Sequence, residues 1–553
     1  MNQVASAGEG SLARLAPTFP IVPSQTASRR SMMSKKRVFL LAAIFLFGLL
    51  PFNRSAAVNL SAVSPQAITY AQLDLGYAHT CAITNAGASV CWGYNEEYYR
   101  QLGTTTPEEF FPFPIRPLGL TDNALKVSAG DDHGCVINSL GETWCWGSGS
   151  YGQLGDGLDE HDGLPVHVVN FANPSLISAG GNTTCGVTTA GQAYCWGLGG
   201  YGQMGNGTDT NENYSPVTVT IGTVSKISVG GASQVCAITT DGAAFCWGAD
   251  TWGQLGNGAP LANSNLPVQV TGLVNGTMAD IAGGGLFTCG LTVGGGVKCW
   301  GYNGDGELGN NSTTNSPVPV DVSGLASGVS AIAAGDYHAC ALLTADGSVK
   351  CWGYNGYGQI GDGTIDTNRL VPVPVVGLSA PAVAISGGGN HTCAVLNDGS
   401  MQCWGYNSEG QLGVGDDDPD IALTPMTVVD EIGSVMGTVT YAGTQPNWHK
   451  IYVSLHENLV DPPFASYWIY RNDLYAFGGL PDGDFYIGGF MDVDDDGGGP
   501  PDPGEPSGWY DGPDMGSEPD LVSIVGGANL YGLDFELFDP VVTFGIFLPL
   551  VLH

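Results

Sequence analysis

The sequence predicts an all-β protein: seven copies of a four-stranded unit that reads as a propeller blade, then a small β-sandwich. Two observations carry the first part. Fourteen cysteines fall into seven pairs spaced by 10 residues, 11 in the sixth, and the first members recur every 50–54 residues. Every second cysteine is followed by Trp-Gly and shortly afterwards by a block of the form Gly-Gln-Leu-Gly, from Gln101-Leu102-Gly103 to Gln411-Leu412-Gly413. A period of that length marks stacked or circular repeats of one supersecondary unit. The third observation is a change of character near residue 431, where cysteines and Trp-Gly stop and alternating strands continue.

Composition bounds the function. Glycine is 85 of 553 residues and charged residues only 12%, yet 43% are hydrophobic, enough for a core. The net charge is −36, and seven of the sixteen basic residues lie before residue 55. The bulk of the chain therefore has no basic face to neutralise phosphates, which excludes nucleic acid as a partner. It also disfavours docking on anionic lipid.

Residues 1–57 read as an N-terminal extension and secretory signal segment. Lys35-Lys36-Arg37 precede an apolar run of 15 residues at 38–52, and Ser55-Ala56-Ala57 offers a small-residue cleavage site. A start at Met33 would give a signal of ordinary length. The rival is an uncleaved anchor, the one route to a membrane that the sequence offers, but the run falls short of the ~20 residues a span needs.

Residues 58–430 hold the repeats. In the seventh, Val383-Ala384-Ile385-Ser386 is a first strand and 391–396 a second. Asp398-Gly399 is a hairpin turn, 401–404 a third strand and 425–429 a fourth. Four short strands with glycine at the corners make a blade. Asp416, Asp417, Asp418 and Asp420 lie in the loop before the fourth strand and read as solvated surface.

The units resemble repeats of the regulator of chromosome condensation family. The entry Ala-Gly-x-x-His (Ala129-Gly130-Asp131-Asp132-His133; Ala334-Gly335-Asp336-Tyr337-His338), the turn glycine, the Trp-Gly and the Gly-Gln-Leu-Gly loop carry the likeness. It implies a seven-bladed β-propeller, and seven units fit one closed ring. Which strand closes it is open at this stage. The family's nuclear member exchanges nucleotide on a small GTPase and binds chromatin, but the matching residues are structural and no catalytic residue carries over. A secreted bacterial propeller of similar repeat type inhibits β-lactamase.

Within a unit, Cys81 and Cys91 flank a hairpin centred near Ala86, which places them on one face, directly opposite. In an exported chain the pairs Cys81/Cys91, Cys135/Cys145, Cys185/Cys195, Cys236/Cys246, Cys289/Cys299, Cys340/Cys351 and Cys393/Cys403 read as seven disulfides. Zinc and reduced core thiols are the other readings; Cys-x2-Cys spacing is absent. His79, His133, His338 and His391 stand two residues before the first cysteine. Their periodicity favours a frame residue hydrogen-bonding within its own blade over an axial metal or catalytic site. The propeller is expected to need no cofactor.

Residues 431–540 read as the β-sandwich, with strands at 433–441, 449–455, 474–477, 484–491 and 530–535. The arrangement resembles transthyretin-like or carboxypeptidase-regulatory-like accessory domains. Its Asp492-x-Asp494-x-Asp496-Gly497 opens like a calcium loop, with Asp502 or Glu505 to complete the shell. The alternative is a solvated acidic loop. Residues 541–553 are an apolar tail, a final strand or a surface-retention segment.

These readings converge on a secreted or cell-surface, non-catalytic binding or scaffold protein, monomeric, whose propeller loops hold a protein or glycan. A secreted enzyme inhibitor, an extracellular hydrolase and, without export, a nucleotide-exchange regulator are the alternatives.

Overall fold

Seven antiparallel sheets of four strands account for residues 70–427. A computed structural model describes residues 68–429, except 97, 105–108, 160–162 and 259–260, and beyond them only strands between 434 and 537. The first blade contains β1 (Tyr70–Leu75), β2 (His79–Thr84), β3 (Ser89–Tyr94) and β4 (Phe110–Ile115), paired in chain order. The same meander recurs at 124–167, 174–218, 224–269, 278–321, 329–374 and 382–427. First strands line an axial bore; second strands are almost wholly buried, as in His79–Thr84 and His133–Asn138.

Every blade is complete in itself, so no strand is exchanged to close the ring. Closure uses the contacts found at every other joint. Trp92 Nε1 donates to the Gln411 carbonyl at 3.0 Å, as Trp404 does to Gln359 at 2.9 Å and Trp247 to Gln203 at 2.8 Å. Tyr70 N donates to Gly399 O at 2.8 Å across the same joint.

The seven cysteine pairs are disulfides, joined as the repeat spacing predicts: Cys81–Cys91, Cys135–Cys145, Cys185–Cys195, Cys236–Cys246, Cys289–Cys299, Cys340–Cys351 and Cys393–Cys403. Each bridges directly opposed residues of second and third strands, with Cα atoms 4.0–4.1 Å apart. That close spacing belongs to the non-hydrogen-bonded pairs of an antiparallel ladder. The 11-residue spacing of Cys340 and Cys351 is absorbed in the turn, since the two remain in register. All fourteen sulfurs are committed to these bonds, so neither zinc ligation nor a reduced core thiol describes them.

The hydrophobic core is a series of layers between blades. The disulfide of one blade packs with its own loop leucine, or the methionine or isoleucine in its place, and with the tryptophan of the next. Cys81 and Cys91 with Leu102 meet Trp146, and Cys135 and Cys145 with Leu154 meet Trp196. Cys185 and Cys195 with Met204 meet Trp247, and Cys236 and Cys246 with Leu255 meet Trp300. Cys289 and Cys299 with Leu308 meet Trp352, and Cys340 and Cys351 with Ile360 meet Trp404. Cys393 and Cys403 with Leu412 meet Trp92, which completes the circle. Sulfur beside an aromatic ring is a favourable contact. The loop glycine follows from this packing: at Gly256, φ is +66° and a Cβ would stand 2.6 Å from Trp300 Nε1. Gly256→Ala is therefore expected to lower stability by about 1–3 kcal/mol, from strain and displacement of the ring. A denaturant melt unchanged from wild type would contradict this origin of the repeat glycine.

Two sequence expectations shift. The fourth strand of the last blade runs Ile421–Thr427, four residues earlier than expected at its start. Pro425 sits inside it, which the outermost strand tolerates because one edge needs no ladder donor. His133, His338 and His391 bond to the next blade and not to their own. Asp416, Asp417, Asp418 and Asp420 lie on the surface, as expected.

Beyond the propeller the described strands form two four-stranded sheets. Ser434–Tyr441 pairs with Leu474–Phe477, Asn529–Leu530 and Phe535–Leu537. Ile451–His456 lies between Ala465–Ile469 and Gly483–Met491, which in turn pairs Val522–Ile524. Ala465–Ile469 has no counterpart among the expected strands, because Tyr467, Trp468 and Ile469 do not alternate. The secretory segment, Asp492, Asp494, Asp496, Asp502, Glu505 and the apolar tail lie outside the described residues.

Candidate functional site: an acidic, tyrosine-paved loop face

The repeat histidines belong to the frame. His391 Nε2 lies 2.8 Å from Thr80 Oγ1, and that hydroxyl also donates to Gln411 O at 3.0 Å. A hydroxyl has one proton, so the imidazole must donate through Nε2–H. The same triad joins His133, Thr184 and Gln153, and again His338, Thr392 and Gln359. His79 faces the joint where Gly134 takes the threonine's place, so it lacks the hydroxyl partner that the other three have. Burial pushes all four down, to about 4 for His79 and His338 and about 3 for His133 and His391. All four are neutral at neutral pH, and three of them act as clasps. Thr392→Val is expected to cost about 1–3 kcal/mol, because it leaves the His338 donor buried and unpaired. An unchanged unfolding midpoint would refute the clasp.

Loops from first to second strand and from third to fourth emerge at the same end of the ring. Tyrosines cluster there. Tyr357 packs on Tyr406 at 4.9 Å and on Tyr354 at 6.2 Å, and Tyr354 on Tyr337 at 6.3 Å. Trp252 packs edge-on to Tyr302 at 5.3 Å. Several are well exposed, including Tyr77 at 53% and Tyr201 at 51%. Acids stand among them. Burial, with Glu96, Glu109, Glu409 and Asp132 nearby, pushes Tyr94 up to about 12. Burial and Glu96 push Asp132 up to about 6.

Three ion pairs lie away from the tyrosines, Arg116–Asp122 at 2.5 Å, Lys226–Asp280 at 3.6 Å and Lys298–Asp321 at 2.6 Å. On the face itself the arginines are Arg100, in the third-to-fourth loop of the first blade, and Arg369, which pairs Asp362 at 2.6 Å across that loop of the sixth. Aromatic surface with unpaired acids can stack on flat groups and attract cations.

The bore opens into this face and encloses about 260 Å³. Inside it Asp74 is fully engaged. It accepts from Ser128 Oγ at 2.7 Å, Ala129 N at 3.1 Å, Ser386 Oγ at 3.2 Å and Leu75 N at 3.1 Å. Serines at the matching positions continue the belt, Ser128 Oγ taking Ala179 N at 2.9 Å and Ser178 Oγ taking Val229 N at 3.0 Å.

Sequence spacing finds the disulfide partners and the frame motifs but not this face. Asp131 and Asp336 are visible in the chain only as variable letters inside the entry motif. Aligning the seven units and asking which positions vary would find them.

Fold and repeat frame thus define a disulfide-clasped propeller with one variable loop face. Two models of the Regulator of chromosome condensation (RCC1) repeat match, one at 70–98, 125–153, 175–203, 278–307, 329–359 and 382–411, the other at 141–187, 190–237, 241–291, 295–342 and 346–395. The chain belongs to the RCC1-repeat family. It is 30% identical over 369 residues to the Ultraviolet-B receptor UVR8 of Arabidopsis thaliana, covering 66% of this chain and 71% of that one. It is 34% identical over 200 residues to the mitochondrial RCC1 domain-containing protein RUG3 of the same plant, spanning 35% of this chain and under half, 44%, of the relative. Among solved structures, Prp20p of Saccharomyces cerevisiae superposes with a TM-score of 0.53 at 18% identity, over 66% of this chain and 88% of that one, a likeness of fold.

Proposed function

We propose that this is an exported, non-catalytic binding protein whose loop face holds a basic segment of a partner protein. The carrying observation is the juxtaposition on one face of packed tyrosines with acids, among them Glu96, Glu109, Glu409 and Asp132, that outnumber the face's arginines, Arg100 and Arg369. Aromatic anchors supply contact area at low entropic cost, and opposite charge steers encounter. Prp20p shows that such a propeller can serve protein recognition, since it binds Gsp1p and histones. Export is supported by the basic, apolar and small-residue series at 35–57 and by seven disulfides, which persist in oxidising compartments. The strands after residue 433 would form an accessory sandwich, with calcium at Asp492, Asp494 and Asp496 and Asp502 or Glu505 completing the shell.

Binding of hexalysine amide by calorimetry tests the face. Tyr151, Tyr201 and Trp252 are exposed aromatics of third-to-fourth loops, and Tyr151→Ala/Tyr201→Ala/Trp252→Ala should weaken it at least tenfold, with added salt weakening it further. A glycan-array signal without peptide binding would replace protein by glycan as the partner. No binding of either kind would remove the reading.

A further inference from the structure

We propose that the mouth of the axial bore is a socket for one protonated side chain, a lysine ammonium or arginine guanidinium, of the basic segment that binds the loop face. The inference rests on that reading of the face and adds where its central charge is held.

After the entry glycine of each blade the chain places one residue at the mouth. Three carry side chains, Tyr77, Asp131 and Asp336; the others are Gly181, Gly231, Gly285 and Gly389. The four glycines leave the space open. A Cβ on Gly231 would stand 2.6 Å from Asp336 Oδ1, so the Asp336 carboxylate reaches from the sixth blade across to the fourth. It lines the bore, partly open to solvent at the mouth, and burial pushes it up to about 6. Among the described residues its carboxylate has no hydrogen-bond or ion-pair partner. Asp131 is raised well above the carboxylate range by burial and by Asp336, and only the Gly181 amide opposes this.

The contrast with Asp74 is what points to a ligand. Deeper in the same bore, Asp74 is met by two hydroxyls and two amides, so its charge belongs to the frame. Asp131 has one amide donor and Asp336 none, and no lysine, arginine or histidine lines the bore. Two carboxylates enclosed without a cation are costly, and an entering cation removes that cost. The described residues hold no group of three His, Cys, Asp or Glu side chains that could hold a metal ion, and calcium and magnesium take six or more oxygens. One ammonium or guanidinium needs fewer, and the Tyr77 and Tyr337 rings at the rim can face it.

Hexalysine amide is titrated into the full-length secreted protein, the Asp131→Asn/Asp336→Asn variant and the Tyr151→Ala/Tyr201→Ala/Trp252→Ala variant, in buffers of different ionisation enthalpy at pH 6 and 8. We expect Asp131→Asn/Asp336→Asn to weaken binding at least tenfold. Wild type should release protons on binding at pH 6 and fewer at pH 8, because the cation drives the carboxyls to ionise. That measurement needs no variant. Equal affinity of wild type and Asp131→Asn/Asp336→Asn, with no proton release, overturns the socket, while weakening by the aromatic variant alone leaves the face reading standing. Failure of wild type to bind removes both.

Discussion

Reduced and alkylated in denaturant, then diluted, the protein should not refold. Each disulfide closes a loop of about ten residues, which in the chain-entropy model stabilises by about 2.7 kcal/mol. Seven such loops are sequential and do not overlap, so their contributions sum to about 19 kcal/mol. Whole domains are stable by only ~5–15 kcal/mol. The reduced chain therefore falls on the unfolded side unless its remaining contacts are exceptionally strong. All fourteen cysteines are buried at 1% exposure or less, so reductant reaches them only when a blade opens. Denaturation before alkylation is thus part of the design. Circular dichroism and a denaturant melt give the readout. A reduced, alkylated sample that melts cooperatively near the oxidised midpoint would show that packing alone holds the ring.

The disulfides also explain a composition that otherwise looks unfavourable. Glycine is common because the blade joints are tight. At Gly387 a Cβ would lie 2.8 Å from the Gly335 amide of the neighbouring blade. Each such glycine adds conformational entropy to the unfolded chain. Cross-links inside every hairpin remove entropy from that same state, so the cysteines offset what the glycines cost. The two features belong together in each unit, and this is why they share one period.

That period is also why the frame was readable. A tryptophan, a glutamine or glutamate loop and two cysteines recur in seven copies because each meets the same partner at every joint, as in Trp92 on Gln411 and Trp146 on Gln101. Repetition turns a spatial contact into a sequence signal. The histidine's partner was harder to read. Spacing along the chain locates His391 but says nothing of Thr80, 311 residues earlier, which meets it only once the ring closes. The loop face was least legible of all. Tyr357 and Tyr406 stand in different repeats and at different repeat positions, so no period links them; the ring brings them to 4.9 Å. Function in such a fold lies where the repeat is broken, and a break is visible only against the complete set of copies.

One break lies inside the frame, at Glu307. Six blades carry glutamine there. In five of them the side-chain oxygen accepts the amide of the residue two before it, as Gln254 does from Trp252 at 2.9 Å and Gln359 from Tyr357 at 2.9 Å, while Gln101 takes Glu96 N at 3.1 Å. Glu307 keeps that bond, Oε2 taking Asp305 N at 2.9 Å. Its other oxygen, where the glutamines carry their amide, has no partner and is fully buried. Burial pushes Glu307 up to about 7 from an ordinary value of 4.5. The folded protein thus holds this proton more tightly than the unfolded chain. Below pH 4.5 both states are protonated and nothing is lost. As pH rises through 4.5 toward 7 the unfolded chain ionises first, so stability falls and then levels off, by about 3 kcal/mol in all. Asp336 and Asp132, pushed up to about 6, act with the same sign over the lower part of that window. The four histidines act with the opposite sign: held at about 3 to 4, they remain neutral in the fold while the unfolded chain gains protons below 6.5, so acid destabilises through them. Glu307→Gln removes one contribution to the alkaline limb and leaves the acid limb intact. It should raise stability at pH 8 by about 3 kcal/mol, change it little at pH 4.5, and move the optimum upward. Urea melts of both proteins from pH 4 to 9 measure this, and a variant no more stable than wild type at pH 8 would place the charge of Glu307 in contact with a cation in solution.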